Sequence, residues 1–226
     1  MAVGRLFLLC IALLFPCTSL TNKVHAESFS LFFEEQTAQK TDNLSVLPSW
    51  KRILEFKNIA EDRDDFSIQM WRKLISSLAN EPAENRIYKT NMWLNSFPYK
   101  QDNWIYGKSD HWATPTEFLT HGGDCEDFAI IKYITLRELG FTPEQLKVSI
   151  VYDVYSGTDH AFLLVKHNDK DFVLDNRNHE ISAHHYYERY KPYYVFNEKE
   201  VITFERPMIA TTIRDETNDT ILPGNR

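Results

Sequence analysis

Apolar residues return every three to four positions from Pro48 onward, in Trp50, Ile53, Leu54 and Phe56, and the spacing predicts a helix there. A stronger amphipathic pattern runs through Phe66, Met70, Trp71, Leu74, Ile75 and Leu78. The acidic stretch 61–65 between the two reads as a solvated loop. A third helix follows Pro82 through Ile87, Met92, Trp93, Leu94 and Phe97 and stops at Pro98. Tyr99 to His111 has no periodicity and reads as a loop. Thr114-Pro115-Thr116-Glu117 then joins a Thr cap, a Pro at the first helical position and a Glu three residues after the cap, which predicts a capping box. The short helix it opens ends by His121. Gly122-Gly123 turns the chain into another helix, from Cys125 through Phe128, Ile131, Ile134 and Leu139 to a stop at Gly140.

Past Gly140 the period drops to two. Lys147 to Tyr152 reads as a strand and His160 to Lys166 as a second; Asn168-Asp169 makes a turn, and Asp171 to Leu174 is a third strand. Tyr193 to Phe196 and Val201 to Phe204 add two more. Glu27 to Val46, with the cluster Phe29, Phe32 and Phe33, reads as an arm packed on the domain. Residues from about 205 onward read as a loose polar tail. Helices first and strands after is the α+β pattern, with an antiparallel sheet following N-terminal helices.

The first 26 residues change the picture of where the chain works. Arg5 is followed by an unbroken apolar run from Leu6 to Phe15, too short to span a bilayer as a helix, and the segment ends Val24-His25-Ala26. This predicts a secretory signal peptide over 1–26, cleaved after Ala26, and a single domain over 27–226; an uncleaved signal anchor is the alternative. Phe15 and Pro16 before Cys17 argue against lipoprotein processing. Cleavage removes Cys10 and Cys17 and leaves Cys125 as the one cysteine, so no internal disulfide is available. Cleavage also removes Arg5 and Lys23 and no acid, taking the net charge from −7 to −9, which argues against nucleic acid or anionic lipid as the main partner.

Cys125 therefore draws attention. It opens a helix after two glycines, and a helix N-terminus stabilises a thiolate. Asp124, Glu126 and Asp127 beside it push the other way, because like charges raise a thiol pKa, and carboxylates crowded on a nucleophile suggest a bound cation. A thiolate needs a base, and the base an orienting partner. His160 opens one strand and Asp175 closes the next, with a short turn between them that would bring the two together. Asp124 as a plain helix cap, His160 as a solvent-exposed strand end and Asp175 as a turn residue are the alternatives. Zinc on His121 and Cys125, four apart, is another, without an evident third ligand.

Trp112-Ala113-Thr114-Pro115, Glu117-Phe118-Leu119, Gly122-Gly123-Asp124-Cys125-Glu126-Asp127 and Leu136-Arg137-Glu138-Leu139-Gly140 resemble the bacterial transglutaminase-like cysteine proteinases. His160-Ala161 and Val173-Leu174-Asp175-Asn176 follow in the same order, and within that family the chain is most similar to the periplasmic LapG-type proteases, over roughly residues 85 to 205. The resemblance implies a transglutaminase-like, papain-like fold and a calcium-dependent endopeptidase. Such enzymes cut large surface adhesins near their N-termini, at consecutive alanines, and so release biofilm cells. An inner-membrane cyclic-di-GMP receptor sequesters them through its periplasmic domain. Carried over by motif, Cys125 is the nucleophile, His160 the general base and acid, and Asp175 the orienting carboxylate. Asp124, Glu126 and Asp127 match the Ca²⁺ ligands, with Asp102 or Asn103 to complete the oxygen shell. The Cys125 backbone N–H and the Trp112 indole are the expected oxyanion donors. Acyl transfer to an amine by the same three residues, or a calcium-dependent binding module without catalysis, are the competing functions; the intact Cys, His and Asp argue against the last.

Overall fold

Residues 38–55, 66–181 and 189–205 are described by the computed structural model, and within them helices precede strands, apart from one short strand at the start. That strand, β1 (Ala38–Thr41), comes before α1 (Pro48–Glu55), α2 (Phe66–Leu78), α3 (Ala83–Leu94), the one-turn α4 (Asp102–Ile105), α5 (Pro115–His121) and α6 (Cys125–Glu138). β2 (Leu146–Asp153), β3 (Thr158–His167), β4 (Lys170–Leu174), β5 (Tyr190–Phe196) and β6 (Val201–Phe204) follow. The strands form one antiparallel sheet in the order β1-β6-β5-β2-β3-β4. The expected α+β class is the one observed. The signal segment 1–26, the Phe29, Phe32 and Phe33 cluster, Phe56, the 61–65 loop and the tail beyond 205 lie outside the described residues.

Three details differ from the sequence expectation. β1 lies inside the stretch read as an arm, and pairs with β6 from Ala38 opposite Phe204 to Thr41 opposite Val201. Its mostly exposed side chains carry no alternation, because an edge strand is held by its backbone bonds alone. α4 lies inside the stretch read as a loop; one turn is too short to show a period. In α2 the buried stripe is Ile68, Trp71 and Leu78, while Phe66 is 74% exposed and Met70 also faces outward.

α6 is the hub. It packs on β2 and β3 on one side and on α3 and α5 on the other. Phe128 to Tyr133 are buried without interruption, as are Thr135 and Leu136. A helix apolar nearly all round belongs inside a domain. One core layer joins α6 to the sheet through Ile130, Tyr133, Leu136, Val148, Leu163 and Phe196. A second joins it to the helices through Ile68, Trp71, Leu94, Phe118 and Phe128. Each such side chain contributes about 1.5–3 kcal/mol by leaving water. Two buried indoles in these layers are answered: Trp71 Nε1 donates to Thr135 Oγ1 at 2.8 Å, and Trp50 Nε1 to the Asn197 carbonyl at 2.9 Å.

Two turns set the geometry that matters for chemistry. Asn168 and Asp169 have φ of 49° and 58°, as a two-residue type I′ hairpin requires, and they join β3 to β4. Leu163 then pairs with Leu174, which sets Asp175 just past β4 near the start of β3. At the other turn Gly122 has φ 79°, caps α5 through its N–H to the Phe118 carbonyl at 2.7 Å, and lies against Pro98. A Cβ there would stand 2.1 Å from the Pro98 carbonyl oxygen, a backbone atom with no room to move. Gly122→Ala should therefore destabilise the protein by about 2–3 kcal/mol. Urea unfolding followed by circular dichroism measures it, and a wild-type midpoint would show that the two segments are not locked together.

Candidate active site

The start of α6 is built around one carboxylate. Asp127 is fully buried; its Oδ2 accepts the Asp124 N–H at 3.2 Å and its Oδ1 the Ala113 N–H at 2.6 Å. Asp127 thus ties the first turn of α6 to the segment that precedes α5. Gly123 is required beside it, since a Cβ there would stand 2.2 Å from Asp127 Oδ2. The predicted capping box at α5 is present as well: Thr114 Oγ1 accepts from Glu117 N at 3.3 Å, and Glu117 Oε2 from Thr114 N at 2.7 Å.

Cys125, the first residue of α6, is partly buried and free. Its thiol donates to Glu126 Oε2 at 3.3 Å, and the Ala161 N–H, one residue after His160, donates to the sulfur. Burial, then the charges of Glu126 and Asp124, push the thiol well above its usual range, against the pull of the Ala161 N–H.

His160 and Asp175 meet as the hairpin requires. His160 Nε2 stands 2.9 Å from Asp175 Oδ1, both side chains being buried, and His160 Nδ1 is buried without a hydrogen-bond partner. Asp175 Oδ1 also accepts the Arg177 N–H at 2.9 Å. Burial alone would push the Asp175 carboxyl up. The His160 hydrogen bond and charge, the Arg177 N–H and the Lys132 ammonium outweigh it and hold the group below the ordinary carboxylate range.

The loop after Asp175 is itself anchored, by an arrangement that no motif indicated. Buried Asp153, at the end of β2, takes both Arg189 Nε (2.9 Å) and Nη2 (2.6 Å) as well as Arg177 Nη1 (3.3 Å). A paired fork of this kind is stronger and more directional than a single ion pair.

Five carboxylates gather beside the thiol. Oxygens of Asp102, Asp110 and Glu126 lie within 4.8 Å of one another, as do those of Asp102, Asp124 and Asp127. Oδ1 of Asp102 and Oδ1 of Asp124 are buried and accept no hydrogen bond. Burial, then Glu126, drives Asp124 up to about 10; burial, then Asp127, drives Glu126 up to about 7; Asp127, Asp102 and Asp110 are raised first by burial too. An all-oxygen set with unanswered buried lone pairs fits a hard divalent cation. Asp124, Glu126 and Asp127, singled out in the sequence, therefore meet Asp102, and Asp110 joins them unannounced. Both come from the aperiodic Asp-bearing stretch 99–111, where Asp102 or Asn103 had suggested itself; Asn103 is exposed. The Trp112 indole engages Asp110. His121 is exposed at the end of α5, and among the described residues no metal-ligating cluster joins it to Cys125. His184 and His185 lie outside the described residues.

The family model for bacterial transglutaminase-like cysteine proteinases matches residues 61–200. Among solved structures, LapG of Legionella pneumophila is similar at 30% identity and a TM-score of 0.53, over 64% of this chain and 83% of that one. Its calcium-bound form gives 32% identity and a TM-score of 0.53 over 65% and 83%. No curated protein sequence matches at a significant level.

The raised carboxylates set a pH trend with a definite sign. Their folded pKa values, about 10 for Asp124 and about 7 for Glu126, exceed the unfolded value of about 4, so folding takes up protons. The associated stability is complete below about pH 4 and is lost as pH rises through the folded values. In chelator, the thermal unfolding midpoint should rise by several degrees between pH 7 and pH 5.5. Scanning fluorimetry that shows a flat or falling midpoint would contradict the buried state of these groups.

Proposed function

This chain belongs to the bacterial transglutaminase-like cysteine proteinases, and we propose that it is a calcium-dependent periplasmic endopeptidase that cuts a large surface adhesin near its N-terminus. The reading is carried by the buried His160–Asp175 pair, Nε2 to Oδ1 at 2.9 Å, set beside the cysteine that opens α6. The adhesin substrate, a role in biofilm dispersal, and sequestration by the periplasmic domain of a cyclic-di-GMP receptor rest on the family resemblance and the likeness to LapG. The periplasmic location rests on the signal-like segment 1–26.

With Nε2–H donated to Asp175, neutral His160 keeps its lone pair on Nδ1, the nitrogen without a partner. The Cys125 thiol passes its proton to Nδ1, and the thiolate adds to the carbonyl carbon of the scissile peptide. The electron pair displaced onto the carbonyl oxygen is held by the Cys125 backbone N–H, unused within the first turn of α6. The imidazolium returns its proton to the leaving amine as the C–N bond breaks, which leaves a thioester on Cys125. Water, giving a proton to Nδ1, adds to the thioester; the C–S bond breaks, the carboxylic acid leaves and the thiol is restored. Asp175 holds the imidazole in the required tautomer throughout.

Asp102, Asp110, Asp124, Glu126 and Asp127 would hold the cation, as a calcium-bound form exists for LapG. When bound, Ca²⁺ supplies positive charge that neutralises the acidic flank of the thiol. Glu126 otherwise accepts the thiol hydrogen in competition with His160.

Cleavage of an adhesin N-terminal fragment by the mature chain tests the reading. Cys125→Ala should abolish it, and His160→Ala should slow it by about 10³-fold, the middle of the usual general acid–base contribution. A calcium chelator should remove activity, Ca²⁺ should restore it and Mg²⁺ should not. Asp110→Asn should raise the calcium requirement. Activity in Cys125→Ala, or undiminished cleavage under chelation, would defeat the triad or the calcium assignment respectively. Incorporation of a labelled amine into the product would convert the reading to acyl transfer.

A further inference from the structure

Lys132 stands two turns beyond Cys125 on α6, at the i+7 position and so on the same side of the helix. Its exposure is 0%. An ammonium in such a place is strongly disfavoured unless a charge answers it. Its hydrogen bond, from Nζ to the Leu174 carbonyl at 3.4 Å, is long for an N–H···O contact, and Nζ lies 5.7 Å from the centre of the Phe128 ring. Neither contact accounts for a charge that methionine or leucine could replace with better packing. Leu174, however, ends β4 and is bonded to Asp175, and Asp175 is the charge that Lys132 faces.

The surroundings of Asp175 show what that charge does. His160 reaches it from β3, the Arg177 N–H from its own loop, and Lys132 from α6, while Asn95 at the end of α3 holds the Asp175 carbonyl at 2.9 Å. We propose that Lys132 is a positioning residue for catalysis: it fixes the chain at Leu174 and keeps Asp175 ionised, so that His160 holds its proton on Nε2. This rests on the assignment of Asp175 to the triad. A protonated Asp175 would donate to Nε2 instead of accepting from it, and the imidazole proton would move to Nδ1, where it blocks transfer from the thiol. Burial brings Lys132 down to about 7, against the pull of Asp175, so the ammonium is present in the acid range where a buried carboxylate is prone to protonation.

The test needs no protein substrate. Alkylation of Cys125 by iodoacetamide at pH 6 with Ca²⁺ is measured for wild type, Lys132→Met, Asp175→Asn and the double variant, alongside thermal unfolding. Lys132→Met should slow alkylation by about tenfold, the size of a coupled-pair effect, while its unfolding transition shows that the variant is folded. The double variant should be no slower than Asp175→Asn alone, since Lys132 acts through that residue. A wild-type rate in Lys132→Met, or slowing factors that multiply in the double variant, would overturn the inference and leave the triad standing. A wild-type rate in Asp175→Asn would overturn the triad itself. If Lys132→Met does not fold, the ¹³Cε titration of Lys132 decides: its midpoint should fall by about one pH unit in Asp175→Asn, and an unchanged midpoint would overturn the proposal.

Discussion

The architecture of the site depends on the Asp127 carboxylate, which accepts N–H groups from both Asp124 and Ala113 over the bare Cα of Gly123. That one group fixes where α6 begins, and with it the position of Cys125. It also draws the segment before α5 against the helix start, which brings Trp112 and Asp110 into the same small volume. The remainder of α6 is then committed by burial, since its middle turns have apolar neighbours on every side. A helix anchored at its first turn and buried along its length cannot slide. Cys125 is therefore placed by a helix held at its start and along its length, while His160 and Asp175 come from a hairpin that meets it.

The site holds opposing electrostatic demands within a few ångströms. A cysteine nucleophile gains from positive potential, yet its nearest charged neighbours are acids. On the far side of the imidazole the demand is reversed: Asp175 must stay charged while wholly enclosed, and cations and N–H groups converge on it. Asp153 extends that pattern by locking the Arg177 loop and the start of β5 into one unit. The site thus has an acid-rich wall at the start of α6 and a base-rich wall around Asp175. A group that neutralises the first wall without touching the second makes the two halves compatible.

Much of this was legible in the sequence where local rules are strong. Thr114-Pro115-Thr116-Glu117 named its own capping box, Gly122-Gly123 its turn, and Asn168-Asp169 a hairpin short enough to bring His160 to Asp175. What stayed hidden depends on partners distant in the chain. β1 has no apolar signature because its pairing uses backbone groups, and α4 is shorter than any period. Asp110 looks like a solvated loop acid until folding brings it against Asp102 and Glu126. Lys132 sits in Ala129-Ile130-Ile131-Lys132-Tyr133 like any helix lysine, and only the arrival of β4 turns it inward against Leu174. The exposure of Phe66 and Met70 shows the converse: apolar spacing marks a helix more reliably than it marks the face that is covered.

The pairing of β1 with β6 joins residues 38–41 to residues 201–204, nearly the two ends of the described chain. By contrast the β3–β4 hairpin closes a loop of two residues. Loop-closure entropy makes the hairpin the early event and the edge pairing a late one. His160 and Asp175 can therefore be in place while the chain ends are still apart. During synthesis β1 emerges first and must wait for the last strand of the sheet before it has anything to pair with. The outer rim of the sheet is thus a record of completion: it can close only on a chain that has been made through residue 204.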